Sequence, residues 1–420
     1  MGMWSGNNPR PILASTATLA RLLAHAHDAL EVHPLPEVWG YVFQRGNVNI
    51  SALWQSSSKP VIETSLKLPA DAVCYDIMGN RCAFEGKLFN YPIFVESNEQ
   101  QTRFANRVLE STFQLPEYAV ESQFVSTSEI RLAVRNLSGK ALTLQVSHQE
   151  AQAQRIELKA SDNLCSAGFK LRKPAVSPYQ SSFSIICNGE KRSFSANLEC
   201  TSIRKLKNVK LDGTLQSFTG VIPLVMDSPL HLLPVDAAPN GLWFGKDDLS
   251  AKVYLGYDET NFYIGTEVTD DQWFFTQSGS MLWNQDAIEI SVDPLNNALS
   301  EVMKPLGYDA DDLDFSYGNS AKGSAAWCHV HPDQRKRGDR PDVCPMVLKS
   351  ETGTMVIEFA IPWGELAIKP EKGLIFGFNL AVFDRDDQAG TVPYNMSLSR
   401  GTTTGKDPSC FQKFVLSGSE

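Results

Sequence analysis

Closely spaced cysteine pairs are missing from this 420-residue sequence. Its cysteines (Cys74, Cys82, Cys165, Cys187, Cys200, Cys328, Cys344 and Cys410) are scattered without a CxxC spacing, which excludes a zinc ribbon or a thioredoxin-like motif. Cys74 and Cys82 flank a predicted turn, and Cys328 and Cys344 flank a basic loop, so each pair is a candidate bridge if the chain is exported. The cysteine density of a small disulfide-stapled domain is absent. Long apolar runs are lacking too: none approaches the roughly 18 residues of a membrane span, and the start MGMWSGNNPRP has neither the charged nor the apolar region of a signal peptide. Positive charge is scarce. With a net charge of -10 and one short basic run (Arg335, Lys336, Arg337), the chain has no stripe for a phosphate backbone, so no nucleic-acid partner is expected. Neither GxSxG nor HExxH occurs, which removes the commonest hydrolase signatures.

What is present points to β-structure. Hydrophobic residues at 42% and charged residues at 20% suit folded protein, while 28 Gly, 23 Pro and 22 Phe favour many short strands and turns. The length allows two to four units of roughly 100 to 200 residues. One long helix is predicted over 11–27, with Leu13, Ala17, Ala20 and Leu23/Ala24 at helical spacing and Pro11 in the first turn. His25 and His27 at its end suit the helix C-terminus, and Asp28, Glu31 and Glu37 beyond it read as solvated carboxylates. From Val38 the period becomes two: WGYVFQRG, VNISALWQ, VIETSLKLP, AVCYDIMG and LFNYPIFVES read as strands. Residues 112 to about 215 alternate again as six or seven strands, predicting an immunoglobulin-like sandwich with His148 as an isolated, non-ligating histidine.

In the first unit, DIMGN (Asp76 to Asn80) followed by YPIFVES resembles the small β-sandwich appended to the barrel of many retaining glycoside hydrolases. The preceding helix then resembles the last helix of such a barrel. In these barrels the catalytic carboxylates stand on strands many tens of residues upstream, and only ten residues precede the helix here, so no catalytic pair is expected.

The last two hundred residues carry the most specific pattern. LSAKVYLGYDETNFYIGTEVTDDQ reads as two strands joined at Asp258 to Asn261, and WNQDAIEISVDPLNN as a strand with a carboxylate at each end. YDADDLDFSYG, MVIEFAIPWGEL, GFNLAVFDRDD and DPSCFQKFVL follow in order. Together they resemble family 9 carbohydrate-binding modules, a DOMON-like sandwich. The resemblance implies a sugar held between tryptophan faces and bonded by polar groups. Trp283 matches one platform and Glu289 the sugar-bonding carboxylate; strand parity predicts that the two share a face. Where the family carries its second tryptophan this chain has Gly405 before Lys406, and where the family carries an arginine it has Ser316. Trp273, Phe274, Phe275 and Trp327 are predicted on loops and are candidates to rebuild a platform, whereas Trp243 and Trp363 are predicted in the core.

The family also implies a structural Ca²⁺. Asp309, Asp311, Asp312 and Asp314 alternate as calcium ligands do, with Asp309, Asp311 and Asp312 the candidates and Asp384, Asp386 and Asp387 a similar cluster, although the EF-hand glycine and glutamate are missing. Haem, carried by similar sandwiches, is not expected, because His329 and His331 lie in a predicted polar loop. The reading is thus mainly β, as tandem β-sandwiches: a barrel-helix remnant and cap (1–110), an immunoglobulin-like spacer (111–215) and a carbohydrate-binding module-like sandwich (216–420). The expected function is a non-catalytic region binding oligo- or polysaccharide for an exported polysaccharide-degrading parent. The alternative is a structural spacer with a degenerate sugar site.

Overall fold

The structure, a computed structural model, describes all residues except 1–3, 6, 7, 10, 57–60, 162, 235–242, 321, 322, 341–345, 352, 387–391, 393, 404, 419 and 420. Cys344 and Asp387 lie outside the described residues. The chain is mainly β, in three units built on multiple sheets.

Helix α1 (Pro11–Leu23) stops earlier than its pattern predicts, because His25 takes a left-handed φ of 60° and His27 already opens a strand. Strands β1 (His27–Val32), β2 (Val38–Arg45), β3 (Val48–Gln55), β4 (Val73–Tyr75), β5 (Arg81–Cys82) and β6 (Ile93–Ser97) form one sheet in the order β1-β2-β3-β6-β4-β5. Alternation sends Val38, Val42, Leu53 and Val95 to one face, where they meet Phe104 and Val108 of helix α2 (Gln101–Glu110). Ile50, Ala52 and Phe94 on the other face meet Leu22 of α1. The pattern does not announce α2: only Phe104, Ala105 and Val108 are buried in an otherwise polar segment. Cys74 and Cys82 face each other across β4 and β5, both as free thiols.

The middle unit packs β7 (Tyr118–Ser126), β8 (Glu129–Asn136) and β11 (Leu164–Lys170) against a second sheet. That sheet holds β9 (Leu142–His148), β10 (Gln154–Leu158), β12 (Tyr179–Cys187) and β13 (Glu190–Leu198). Ile130, Leu132, Leu144, Val146 and Phe183 fill the space between. His148 is buried against the Phe183 ring, 4.6 Å away, and accepts from the Glu150 amide, a structural arrangement.

The last unit begins at β14 (Thr201–Lys205), a segment whose sequence reads as part of the middle unit. Its first sheet holds β17 (Ala287–Asp293), β18 (Leu313–Ser320), β19 (Gly323–Val330), β22 (Ile375–Asp384), β23 (Tyr394–Ser397) and β24 (Gln412–Leu416). The second holds β15 (Leu249–Tyr257), β16 (Asn261–Asp270), β20 (Met346–Glu351) and β21 (Thr354–Pro362). Strand β14 stitches the two together, pairing in parallel with β24 through Thr201–Ile203 and with β15 through Arg204 and Lys205. Between the sheets lie Ile288, Ile290, Phe315, Tyr317, Phe376, Phe378 and Phe414 from one side and Val253, Leu255, Phe262, Ile264, Ile357 and Phe359 from the other. Trp363 plugs this core with its indole N–H on the Asp258 carbonyl, and Trp243 packs at the edge with its own on Leu249, both as predicted from sequence.

The last two units share a junction. Ile375 and Val415 extend the middle core, Asn296 donates to the Phe124 carbonyl at 2.7 Å, and Ser300 donates to Glu121 at 2.7 Å. No helix among the described residues is long and apolar enough to cross a membrane.

Candidate functional site

Strand β17 is buried along its whole length, yet its alternation is intact: Ile288, Ile290 and Val292 enter the core, while Ala287, Glu289, Ser291 and Asp293 point the other way. Register carries that polarity across the sheet. Glu289 stands beside Ser316 of β18 and Ala381 of β22, Ser291 beside Asp314 and Asn379, and Ser316 beside Trp327 of β19. The outer face is therefore a buried polar surface, overlaid by the loops that bring Tyr308, Thr402 and Lys406. Such a surface is costly unless its groups find partners.

Most find them. The Lys406 ammonium lies 2.8 Å from Glu289 Oε1 and 2.7 Å from Asp314 Oδ2, and 5.5 Å from the Tyr308 ring centroid. The Tyr308 hydroxyl donates to Asp314 Oδ2 at 2.9 Å. Ser291 and Thr402 hydroxyls are 2.9 Å apart, and Asn379 donates to Thr402 at 2.7 Å and to Ser397 at 2.9 Å. Ser316 is 2.8 Å from His329 Nε2, which lies on β19 and not in a loop. Burial, and then the Asp314 charge, push the Glu289 carboxyl up to about 8 against the pull of Lys406. For Lys406 burial works against the charge, but Asp314 and Glu289 outweigh it and raise its pKa.

The aromatic candidates separate into two groups. Trp283 precedes β17 in a turn, so strand parity does not place it; its contacts with Ala381, Phe383 and Val392 do, and they bring it to the Glu289 face, 6.2 Å from the Phe383 ring. Trp327 lies on the same row beyond Ser316, about 10 Å from Glu289 at two strand spacings. It is on a strand, not a loop. Trp273 goes elsewhere: it stacks on Phe275 at 5.9 Å and packs against the sandwich core, beside a cavity of about 10 Å³ lined by Ile288 and Met355. That volume holds about one water and no sugar. Gly405, with φ 82° and open space around it, places no side chain on the face, and Lys406 beside it supplies the contact instead.

Among the described residues the acidic groups gather in two regions that differ from the sequence grouping, the first holding two overlapping groups that share Asp386, namely Asp248, Asp271 and Asp386 beside Asp270, Asp384 and Asp386. Asp270, Asp384 and Asp386 each bring a carboxylate oxygen within 4.8 Å of the others. Asp270 is pushed up to about 9 by burial and then by Asp286 and Asp384, and its buried Oδ2 has no partner among the described residues. Asp293, Asp311 and Asp312 form the second cluster. Asp309 pairs with Lys304 at 2.7 Å, and Asp314 faces Lys406, so neither joins it as the alternating pattern predicts. Sequence reasoning missed Tyr308, Asp314 and Lys406 as members of the polar face around Glu289. Asp314 and Ser316 share strand parity, a legible signal, whereas Lys406 arrives from a loop about ninety residues away.

The C-terminal part of the chain matches one family model. Residues 229–419 match the family described as "Carbohydrate family 9 binding domain-like". The match takes in most of the third unit, less than half of the chain. Solved structures similar to the chain include a carbohydrate binding module family 9 from Caldicellulosiruptor kristjanssonii in complex with cellotriose, at 19% identity and TM-score 0.39, covering 53% of this chain and 95% of that one. The same module in complex with glucose has the same identity and TM-score, with coverage of 52% and 97%. A putative carbohydrate-binding protein from Bacteroides uniformis ATCC 8492 has 11% identity, TM-score 0.35 and coverage of 52% and 98%. No curated protein matches the chain. The family 9-like domain is thus the C-terminal sandwich, preceded by two units outside the match.

Proposed function

We propose that the family 9-like domain binds carbohydrate on the outer face of its first sheet, with Glu289 at the centre and Trp283 and Trp327 flanking it. The observation that carries this reading is the buried polar face itself. Glu289, Asp314, Ser316, His329 and Lys406 converge on this one face, bringing acidic, basic and neutral polar groups together. Glu289 Oε2 and the third proton of the Lys406 ammonium are suited to sugar hydroxyls, and half-buried rings offer faces to pyranose C–H groups. The domain serves as a non-catalytic accessory region, and an exported, polysaccharide-degrading parent accounts for the glycoside hydrolase-like motifs of the first unit. The test is retention of the intact chain on a glycan array and on immobilised polysaccharide, with glucose and cellotriose as soluble competitors. Glu289→Gln should abolish retention while leaving the fold intact, and retention unchanged in that variant would sink the assignment.

One observation favours the spacer reading: Lys406 already satisfies one oxygen of each carboxylate. A chain retained by no glycan at millimolar concentration would support it. A calcium ion, implied by the family resemblance, suits Asp270, Asp384 and Asp386, whose oxygen-only donor set and partnerless Asp270 Oδ2 fit a hard cation. Its chemistry there is structural, neutralising carboxylates at the ends of β16 and β22.

A further inference from the structure

The sheet of the first unit ends at one edge in a short hairpin. Strand β5 is its outermost strand, and its pairing with β4 sets Cys82 opposite Cys74 and Arg81 opposite Tyr75. Directly opposed residues of an antiparallel pair send their side chains to the same face. Here that face is the one beneath α2, where Cys74, 6% exposed, joins the core of Val95 and Phe104 while Cys82 stands exposed at the rim. The turn between them is firmly built. The Asp76 carboxylate accepts the Met78 and Asn80 amides at 2.9 Å and the Asn80 side chain at 3.0 Å, and Gly79 takes the φ of 86° that closes the turn.

This register suits a covalent bond. Opposed Cα atoms in an antiparallel ladder stand about 4.5 to 5.5 Å apart, and a disulfide spans about 4.4 to 6.8 Å between Cα atoms. Closure therefore needs side-chain rotation and a small shift of a two-residue edge strand. Exposure orders the steps. The Cys82 thiolate attacks a small disulfide such as oxidised glutathione, forming a mixed disulfide and expelling one glutathione thiolate. The Cys74 thiolate then attacks the Cys82 sulfur and expels the second. Two protein thiols become one disulfide, one glutathione disulfide becomes two thiols, and the departing thiolates take up the two protons released. Burial, and then Cys82, push the Cys74 thiol up to about 11, and burial followed by Asp76 raises Cys82. Scarce thiolate makes closure slow at neutral pH. The same property makes Cys74 a poor leaving group when a reductant attacks the exposed sulfur, so the closed bridge also reopens slowly.

We infer that Cys74 and Cys82 are a site of oxidation, joining as a cross-strand disulfide in an oxidising compartment and latching the hairpin on which helix α1 rests. The opposite face of the hairpin, which carries Tyr75, holds that helix. Arg21 donates to the Gly79 carbonyl at 3.5 Å, and its guanidinium lies 4.8 Å over the Tyr75 ring. A Cβ at Gly79 would stand 2.6 Å from Thr18 Oγ1, so the helix touches the turn itself. Bridging 74 to 82 suppresses fraying of the edge strand and steadies the seat of α1 with it.

The experiment oxidises the full chain, purified reduced, with oxidised glutathione, then alkylates the remaining thiols and weighs the digested peptides. The peptides carrying Cys74 and Cys82 should be joined, lighter by two hydrogens and free of the alkylating agent. Closure should speed up about tenfold per pH unit near neutrality, as the thiolate fraction does. Cys74→Ser should arrest the reaction at a glutathione adduct on Cys82. Should that buried substitution unfold the unit, Cys82→Ser takes its place and should leave Cys74 alkylated after denaturation, with no glutathione attached. The oxidised chain should melt about 5 °C or more above the reduced one, and hydrogen exchange over 18–23 should slow. A lasting glutathione adduct on Cys82 of the unaltered chain, or two cysteines that both remain alkylatable, would overturn the bridge. A bridge that leaves the melting temperature and the exchange of 18–23 unchanged would overturn the latch.

Discussion

Removing strand β14 should unmake the C-terminal sandwich, even though the family match begins only at residue 229. Ile203 is 1% exposed in the main core, and Leu206, 7% exposed, donates its amide to the Tyr257 carbonyl and fills the notch over Gly256, where any Cβ would collide with it. Burial of each contributes about 1.5 to 3 kcal/mol, so a fragment beginning at 216 forfeits about 3 to 6 kcal/mol. It also opens β24 as a bare edge and uncovers the Gly256–Tyr257 end of β15, whose other half stays paired with residues 224–226, and such edges invite strand-to-strand aggregation. Against a typical domain stability of about 5 to 15 kcal/mol, that loss is a large share. At about 2 to 4 °C per kcal/mol for a unit of this size, the melting temperature should fall by about 6 to 24 °C relative to a fragment beginning at 200. Both fragments expose Ile375 and Val415, so that contribution cancels in the comparison. The measurement is a pair of thermal melts with light scattering. If the fragment from 216 stays monomeric and melts within about 2 °C of the longer one, β14 is peripheral and the reasoning fails. A point version in the full chain is Ile203→Ala, expected to cost about 2 to 5 kcal/mol.

Further outcomes bear on the site. Lys406→Met leaves Glu289 and Asp314 facing each other; removing one partner of a buried pair costs about 3 to 5 kcal/mol, reduced to about 1 to 3 because the lysine side chain is 47% exposed, and denaturant melts measure it. Because Glu289 is raised to about 8 when folded, the folded chain holds a proton that the unfolded chain has released. Its contribution is full below the unfolded carboxyl pKa and lost as pH rises through about 8, so melts between about pH 5 and pH 9 should slope downward, and less so in Glu289→Gln. Trp283→Ala removes a half-buried ring from Ala381, Phe383 and Val392 and should cost about 1 to 2 kcal/mol, below the 3 to 5 of a core aromatic, while ending glycan retention; a loss of about 4 kcal/mol or more would make it a core residue. Chelation should lower the melting temperature of the family 9-like domain, and Asp384→Asn should blunt that response.

Alternation and turn chemistry along the chain were sufficient for the mainly β class, the core placement of Trp363 and the polarity of β17, because a period of two assigns each residue to a face by local geometry alone. The motif order was sufficient for the family 9-like domain. Long-range packing decided the rest. Trp283, placed by strand parity, and Trp273, placed on a loop, were both candidates for one platform, but one docks on Phe383 and the other on the sandwich core, since residues in turns and loops have no periodicity to aim them. Asp309, Asp311, Asp312 and Asp314 read as one cluster and separate in space, because Lys304 and Lys406 draw off the outer two and the end of β17 contributes Asp293. The partner of Glu289, Lys406, and the strand that closes the sandwich, β14, come from segments more than a hundred residues from the groups they serve in β17 and β24. No local pattern encodes such a meeting; it exists only once the sheets have fixed where each loop and edge must run.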